Sequence, residues 1–195
     1  MWLKQENRQE DTFLEKAIRG DRIGLEYLVR TYKDLAYTIA IRIVSNREDA
    51  EEVVQDSFMK AFAALPEFRR ASKFSTWLFR IVYNTAISKV TSRKMPTVDL
   101  DEKMNEGQFA VVENEEWDLL KREERKKYIN LALDTLTTEE RLVITLHYIG
   151  EKSISEICEI VGKEKSAVKM KLLRGRKQLE STLGLLLKDE IKDLI

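Results

Sequence analysis

Cysteine and histidine each occur once in 195 residues, and their scarcity closes off several kinds of chemistry. Cys158 has no partner for an internal disulfide, and with His147 the only histidine there is no Cys/His set to hold zinc. No grouping of His, Asp and Glu has metal-site spacing, which argues against a nuclease or another metal-dependent enzyme. Cys158, beside Ile157 and near Val161 on a face expected to be buried, and His147 therefore both read as structural residues. The longest apolar runs are only a few residues and Met1 to Thr12 is polar, so neither a membrane span nor a signal peptide is expected. These absences suit a cytoplasmic protein, for which neither a cofactor nor a metal is expected. Convincing strand alternation and Asn-Gly hairpin signals are missing as well, and Pro66 and Pro96 are the only prolines.

What is present is helical periodicity. A composition of 43% hydrophobic and 35% charged residues fits a soluble, helix-rich chain, long enough for one large domain or two small ones. Phe13, Ala17 and Ile18 begin an apolar face that halts at Gly20 and Asp21, where glycine suits a helix end and aspartate caps the next start. Leu25, Leu28, Val29 and Tyr32 continue on a second helix, and Leu35, Ile39 and Ile43, with Ala36 and Ala40, form a third stripe ending near Ser45 and Asn46. A helix from about Glu48 to Leu65 carries Val53, Val54, Phe58, Ala61 and Phe62 inward, and Pro66 ends it. After a loop from Glu67 to Ser72, a helix runs to about Arg93 with Phe74, Trp77, Leu78, Ile81 and Thr85 as its core stripe. Further on, Tyr128, Leu131, Ala132 and Leu136 make one helix. Thr137 to Glu140 and Ser153 to Glu156 are capping boxes that open two more, the first with Leu142, Val143 and Leu146 inward and ending at Gly150, the second closing at Gly162. A turn from Lys163 to Lys165 leads into a final long helix. The fold class expected is all-α.

The chain balances 34 basic against 34 acidic side chains, yet the charges are segregated. Arg69 to Met95 holds seven basic residues and no acidic one in 27 positions, whereas Thr97 to Glu124 holds ten acidic and three basic residues with weak apolar periodicity. The expected organisation is a first helical domain over 1–95, an acidic linker over 96–124 and a second helical domain over 125–195. The basic window suits a partner with phosphates. Within it, Lys73, Arg80 and Asn84 lie close to one helix face, with Arg69 and Arg70 in the preceding loop. In the second domain a short apolar helix, a turn containing Gly162 and a basic helix follow the pattern of a helix-turn-helix. Lys165, Lys169, Lys171, Arg174, Arg176 and Lys177 lie on that last helix without an acidic residue among them, while Val168 and Leu172 form its inward stripe. Two readings of it stand at this point: a helix that meets DNA, and a solvated basic surface.

Three segments together carry a resemblance. Asp49-Ala-Glu-Glu-Val-Val-Gln-Asp-Ser-Phe-Met-Lys-Ala-Phe62, then Phe74-Ser-Thr-Trp-Leu-Phe-Arg-Ile81 with Asn84, then Val168-Lys-Met-Lys-Leu-Leu-Arg-Gly-Arg176 resemble an extracytoplasmic-function sigma factor of the sigma-70 superfamily. The likeness runs from about Phe13 to Leu183, in the right order and with the right gap. It implies two helical domains, sigma regions 2 and 4, joined by the acidic linker, in a transcription initiation factor for bacterial RNA polymerase.

The resemblance implies that the helix from Asp49 to Phe62 docks on the clamp coiled coil of core RNA polymerase, with Glu51, Glu52, Gln55, Asp56 and Met59 as contacts; by pattern alone these positions read as a solvated face. It implies that the loop Phe68 to Ser72, with Arg69, Arg70, Ser72 and Lys73, captures a flipped base of the melted minus-10 element, and that Arg80, Asn84 and Lys89 face that element. The final helix, by the same likeness, enters the major groove at the minus-35 element through Ser166, Lys169, Lys171, Arg174 and Arg176. Partners implied are core RNA polymerase, at clamp and flap, promoter DNA, and an anti-sigma factor, in this family often membrane-anchored. The acidic linker either threads the polymerase channel as a nucleic-acid mimic or is a solvated tether that Trp117 anchors. Departures from the family pattern are Ser88, Thr91, Met170 and Leu173, and they leave the promoter sequence open. Leu183, Leu187, Ile191 and Leu194 extend past the family's usual end, either lengthening the last helix despite Gly184 or docking on a partner. The rival reading is a dimeric helix-turn-helix regulator that binds duplex DNA without polymerase.

Overall fold

The computed structural model describes residues 2–93 and 127–193, with side chains over 9–93 and 127–186. The first stretch forms α1 (Trp2–Ile18), α2 (Arg22–Val44), α3 (Arg47–Ala64), a 3-10 turn (Leu65–Glu67) and α4 (Phe74–Arg93). The second forms a helix at 127–134, here α5, then α6 (Thr138–Ile144), a π turn (Thr145–Ile149), α7 (Ile154–Val161) and α8 (Lys165–Asp193). The chain divides into two compact units, one holding α1 to α4 and the other α5, α6, α8 and most of α7. Among the described residues there is no strand, and no described helix is long and apolar enough to cross a membrane.

Side-chain chemistry sets the helix ends in the first unit. Gly20 stops α1 in the left-handed region at φ 79, and the Asp21 carboxylate accepts from the Ile23 N–H at 2.8 Å to start α2. Asn46 starts α3 likewise, accepting from the Asp49 N–H at 2.9 Å. Pro66 lies at the start of the 3-10 turn, where its missing N–H cannot extend the α3 ladder.

Helix α2 is the hub, packing against α1, α3 and α4, and α3 packs in turn on α4. Leu28 and Ile39 on α2, Val53 on α3, Leu65 in the 3-10 turn, and Leu78, Phe79 and Val82 on α4 are the fully buried large side chains of this unit, each worth about 1.5–3 kcal/mol of transfer free energy. Gly24 permits a close approach of α1 to α2, since a Cβ there would overlap the Ala17 backbone nitrogen and the Phe13 carbonyl. The same junction is tied by Phe13 stacked on Tyr27, ring centroids 4.1 Å apart, and by the Tyr32 hydroxyl donating to Glu10 Oε1 at 2.5 Å. Burial first, and then that carboxylate, raises the Tyr32 pKa above its ordinary value.

Several expectations change. The second helix and the third stripe are one continuous α2, because Lys33 and Asp34 between them are exposed positions on a helix that nothing breaks. Leu14 rather than Phe13 or Ile18 joins Ala17 in the core. On α4 the interior is filled by Phe74, Leu78, Phe79, Val82 and Ala86, while Trp77 and Ile81 are half-buried. On α3, Val54 and Phe62 are half-buried too.

In the second unit, Thr137 and Ser153 each form a reciprocal capping box, with Glu140 and Glu156, an arrangement worth about 1 kcal/mol of helix stability per cap. Gly150 closes the π turn, and Gly162 ends α7 in the left-handed region at φ 65, which a side chain would strain. Leu133 takes the buried place on α5 that Leu131 was expected to hold, Leu131 being exposed. Cys158 is half-buried, and His147 Nδ1 lies 3.0 Å from the Lys152 carbonyl. Helix α6 packs on α8. Gly175 makes that approach possible: a Cβ would come within 2.9 Å of Ile144 Cγ1. Helix α8 continues through Gly184 to Asp193. The acidic linker, Trp117 and the side chains of Leu187, Ile191 and Leu194 lie outside the described residues.

Candidate nucleic-acid interface and docking groove

Half-buried Val54 and Phe62 are explained by an open groove of about 530 Å³ between α2 and α3. Val29, Tyr37, Val54, Phe58, Met59 and Phe62 give it an apolar wall, with Lys33, Asp34, Glu51 and Gln55 around it. Met59 is 64% exposed, a large apolar side chain left facing solvent. Of the expected contact positions on α3, Glu51, Gln55 and Met59 line this groove; Glu52 and Asp56 do not. Glu51 also pairs with Arg47 one turn earlier, at 2.9 Å.

Glu52 turns toward α4. Its carboxylate accepts from Lys89 Nζ at 2.5 Å, and the same ammonium lies 3.5 Å from Asp49 Oδ1. Asp49, buried to 4% exposure, also accepts from Arg93 Nη2 at 2.9 Å and from Asn46 Nδ2 at 2.5 Å. The hydrogen bond that Lys89 donates to Glu52, opposed by partial desolvation and reinforced by the charges of Glu52 and Asp49, holds the Lys89 pKa above the usual lysine range. Asp49, inside the first turn of α3 and next to the Asn46 cap, thus clamps the last turns of α4 to that turn. Lys89, expected among the DNA contacts, spends its charge within the fold.

The N-terminal half of α4 differs. Arg80 and Asn84 are exposed one turn apart. Upstream, Phe68 packs against Trp77 and Phe74, centroids 4.9 and 5.9 Å away, which pins the loop start. Arg69 and Lys73 are exposed and Ser72 is half-buried. Arg70 has a positive φ of 54, and its guanidinium lies 3.5 Å from Glu15 Oε1 on α1. The loop therefore presents cations beside an aromatic cluster.

On α8, Val168, Leu172 and Gly175 face inward, and Lys165, Ser166, Lys169, Met170, Leu173, Arg174, Arg176 and Lys177 are exposed. Lys171 does not join them: half-buried, its ammonium pairs with Glu139 on α6. That hydrogen bond, outweighing burial and aided by Lys163 at 3.9 Å, lowers the Glu139 pKa below its usual range. Arg176 lies over the exposed Tyr148 ring, 5.9 Å from its centroid.

Comparison with known proteins decides the family. The chain matches Sigma-70 region 2 over residues 28–95 and Sigma-70, region 4 over residues 126–179. It is 30% identical to the ECF RNA polymerase sigma-E factor of Salmonella typhimurium, over 90% of this chain and 95% of the relative. The chain belongs to the ECF sigma-70 family. The RNA polymerase sigma-H factor of Pseudomonas aeruginosa is 29% identical over 93% of this chain and 97% of its own length. CnrH, solved in complex with the cytosolic domain of CnrY, shares the fold with a TM-score of 0.62 and 24% identity, covering 89% of this chain and 96% of CnrH.

As an ECF sigma factor the protein is a transcription initiation factor rather than an enzyme. Three features of this sigma factor escaped pattern reading. The Asp49 clamp was signalled only by Asn46 standing three residues before an acid at a helix start. Tyr148 beneath Arg176 is a tertiary pairing with no local sign. Val54 and Phe62 follow a core period, and only the packing of α2 shows that they line a groove.

Proposed function

We propose that this sigma factor binds core RNA polymerase through the α2–α3 groove and directs initiation at promoters that it contacts through α4 and α8. The observation that carries this over a stand-alone helix-turn-helix regulator is the groove. Its apolar wall, with Met59 uncovered and Glu51 and Gln55 at its edge, suits a protein helix laid across α3. Glu51, Gln55 and Met59 are then the polymerase contacts, with Glu52 and Asp56 beside them. The exposed outer face of α8 supports a major-groove role at the minus-35 element for Ser166, Lys169, Arg174 and Arg176.

Arg69, Arg70, Ser72, Lys73, Arg80 and Asn84 are proposed to receive the opened non-template strand at the minus-10 element, with Lys89 acting on it only through the position of α4. Flipping a base costs a few kcal/mol, which this basic loop and its Phe68–Trp77 cluster would offset. The working division is 1–95, 96–124 and 125–195, with the acidic linker entering the polymerase. The protein acts in the cytoplasm, and an anti-sigma factor is the proposed regulator.

Reconstitution tests the reading. Purified core polymerase with this protein is expected to yield promoter-specific transcripts from a library of its own genome, and Met59→Glu is expected to abolish them by placing a charge on the apolar wall. Tight duplex binding that needs no polymerase, with no gain in transcription, contradicts it.

A further inference from the structure

The outer face of α8 holds two residues that phosphate binding does not explain. Met170 and Leu173 are each 49% exposed, and they lie in the middle of the cationic face, with Lys169, Arg174 and Lys177 around them. No acidic residue occurs from Lys165 to Leu179. A solvated basic helix gains nothing from two large apolar side chains at the centre of its exposed face. A surface for a protein partner would more often balance its cations with acids. An occupant must be anionic at its edges and apolar at its centre.

A DNA major groove has that form. Its walls are phosphates, and its floor offers one apolar group, the C5-methyl of thymine. Met170 and Leu173 are three residues apart, about 4.5 Å along the helix axis, close to the spacing of about 3.4 Å between successive base pairs. They can therefore meet methyls on neighbouring steps while the cations that flank them reach the backbone. Resting on the major-groove reading of α8 given above, we infer that Met170 and Leu173 read thymine methyl groups in the upstream promoter element, and so set part of the sequence preference of this sigma factor. Lys169 and Arg174 give affinity; Met170 and Leu173 select.

The test uses the full-length protein with core RNA polymerase on promoter duplexes selected by that holoenzyme from a randomised upstream region. Thymines of the selected element are replaced by deoxyuridine, which lacks only the methyl. Each contacted methyl is expected to be worth about fourfold in affinity. In Met170→Ala/Leu173→Ala the thymine and uracil duplexes are expected to bind alike, whereas Lys169→Ala/Arg174→Ala weakens both and keeps their ratio. Met170→Gln and Leu173→Gln, near in volume and good helix formers, give the same answer if the alanine pair lowers the unfolding midpoint. A wild-type holoenzyme indifferent to the methyl, or a selected element without thymine, overturns the inference even if Lys169→Ala/Arg174→Ala still weakens binding; Met170 and Leu173 would then belong to a protein contact. If neither pair of substitutions changes duplex binding, it is the major-groove reading of α8 that fails.

Discussion

In the last turns of α4, Lys89 and Arg93 close on Asp49 and Glu52 of the neighbouring helix; on α8, Lys169, Arg174 and Lys177 stay on the outer face and Lys171 turns back to Glu139. Both helices are basic in sequence, yet they deploy the charge differently. The window from Arg69 to Met95 counts seven cations, but Lys89 and Arg93 are neutralised by α3 and Arg70 is paired with Glu15. Linear charge density therefore overstates the surface that α4 offers to an anion, whereas on α8 it is close to the surface offered. On the proposed function the comparison also divides the labour: the end of α4 holds position, and the outer face of α8 makes the contact.

The largest expected effect tests the positional half. Asp49→Ala removes a buried carboxylate that Asn46, Lys89 and Arg93 all address, and about 2 kcal/mol of stability should be lost, less than for a fully buried pair because Arg93 is half exposed. Chemical unfolding of the full chain measures it. An unchanged midpoint would mean that the α3–α4 clamp holds nothing and that Lys89 is available to DNA. Next in size is Gly175→Val. The added carbons meet Ile144 at van der Waals overlap, so a loss of about 1–2 kcal/mol is expected from forced repacking between α6 and α8, read as a lower unfolding midpoint for the second unit. A neutral outcome would show that α8 is not seated on α6 as closely as its exposed cations require.

A smaller effect comes from pH. Glu139 has a lowered folded pKa, from Lys171 first and Lys163 after, so its contribution is present above its ordinary value of 4.5 and is lost as pH falls through the depressed folded value. Stability of wild type and Glu139→Gln should differ by a few tenths of a kcal/mol at neutral pH, as for other exposed pairs, and converge in acid. A difference that persists at low pH would assign Glu139 a packing role instead.

Much of this architecture was legible because local chemistry and tertiary outcome agree. Asp21, Thr137 and Ser153 cap the helices that their spacing predicts, and Val168 and Leu172 face inward as their period requires. Legibility fails where a neighbouring helix decides. Lys33 and Asp34 fall between the two apolar stripes, and in the fold they are simply the exposed face of one helix, at the rim of the groove. Lys89 shares a basic run with Arg80, and only the approach of α3 gives the two different surroundings. Gly175 carries no mark in the sequence of the basic helix, and only the approach of Ile144 makes it a contact. Met170 and Leu173 read as departures from the family pattern until their exposure is known.

Salt dependence tests the central claim most directly. Holoenzyme affinity for a promoter duplex, measured between about 50 and 200 mM salt, loses about 0.9 from its log-log slope for each duplex phosphate contact removed. Lys169→Ala/Arg174→Ala should flatten the slope by nearly twice that amount without lowering the unfolding midpoint. Lys89→Ala should lower the midpoint and leave the slope unchanged. The reverse pattern, a flattened slope for Lys89→Ala and none for the α8 pair, would contradict the division between a helix held in position and a helix that binds.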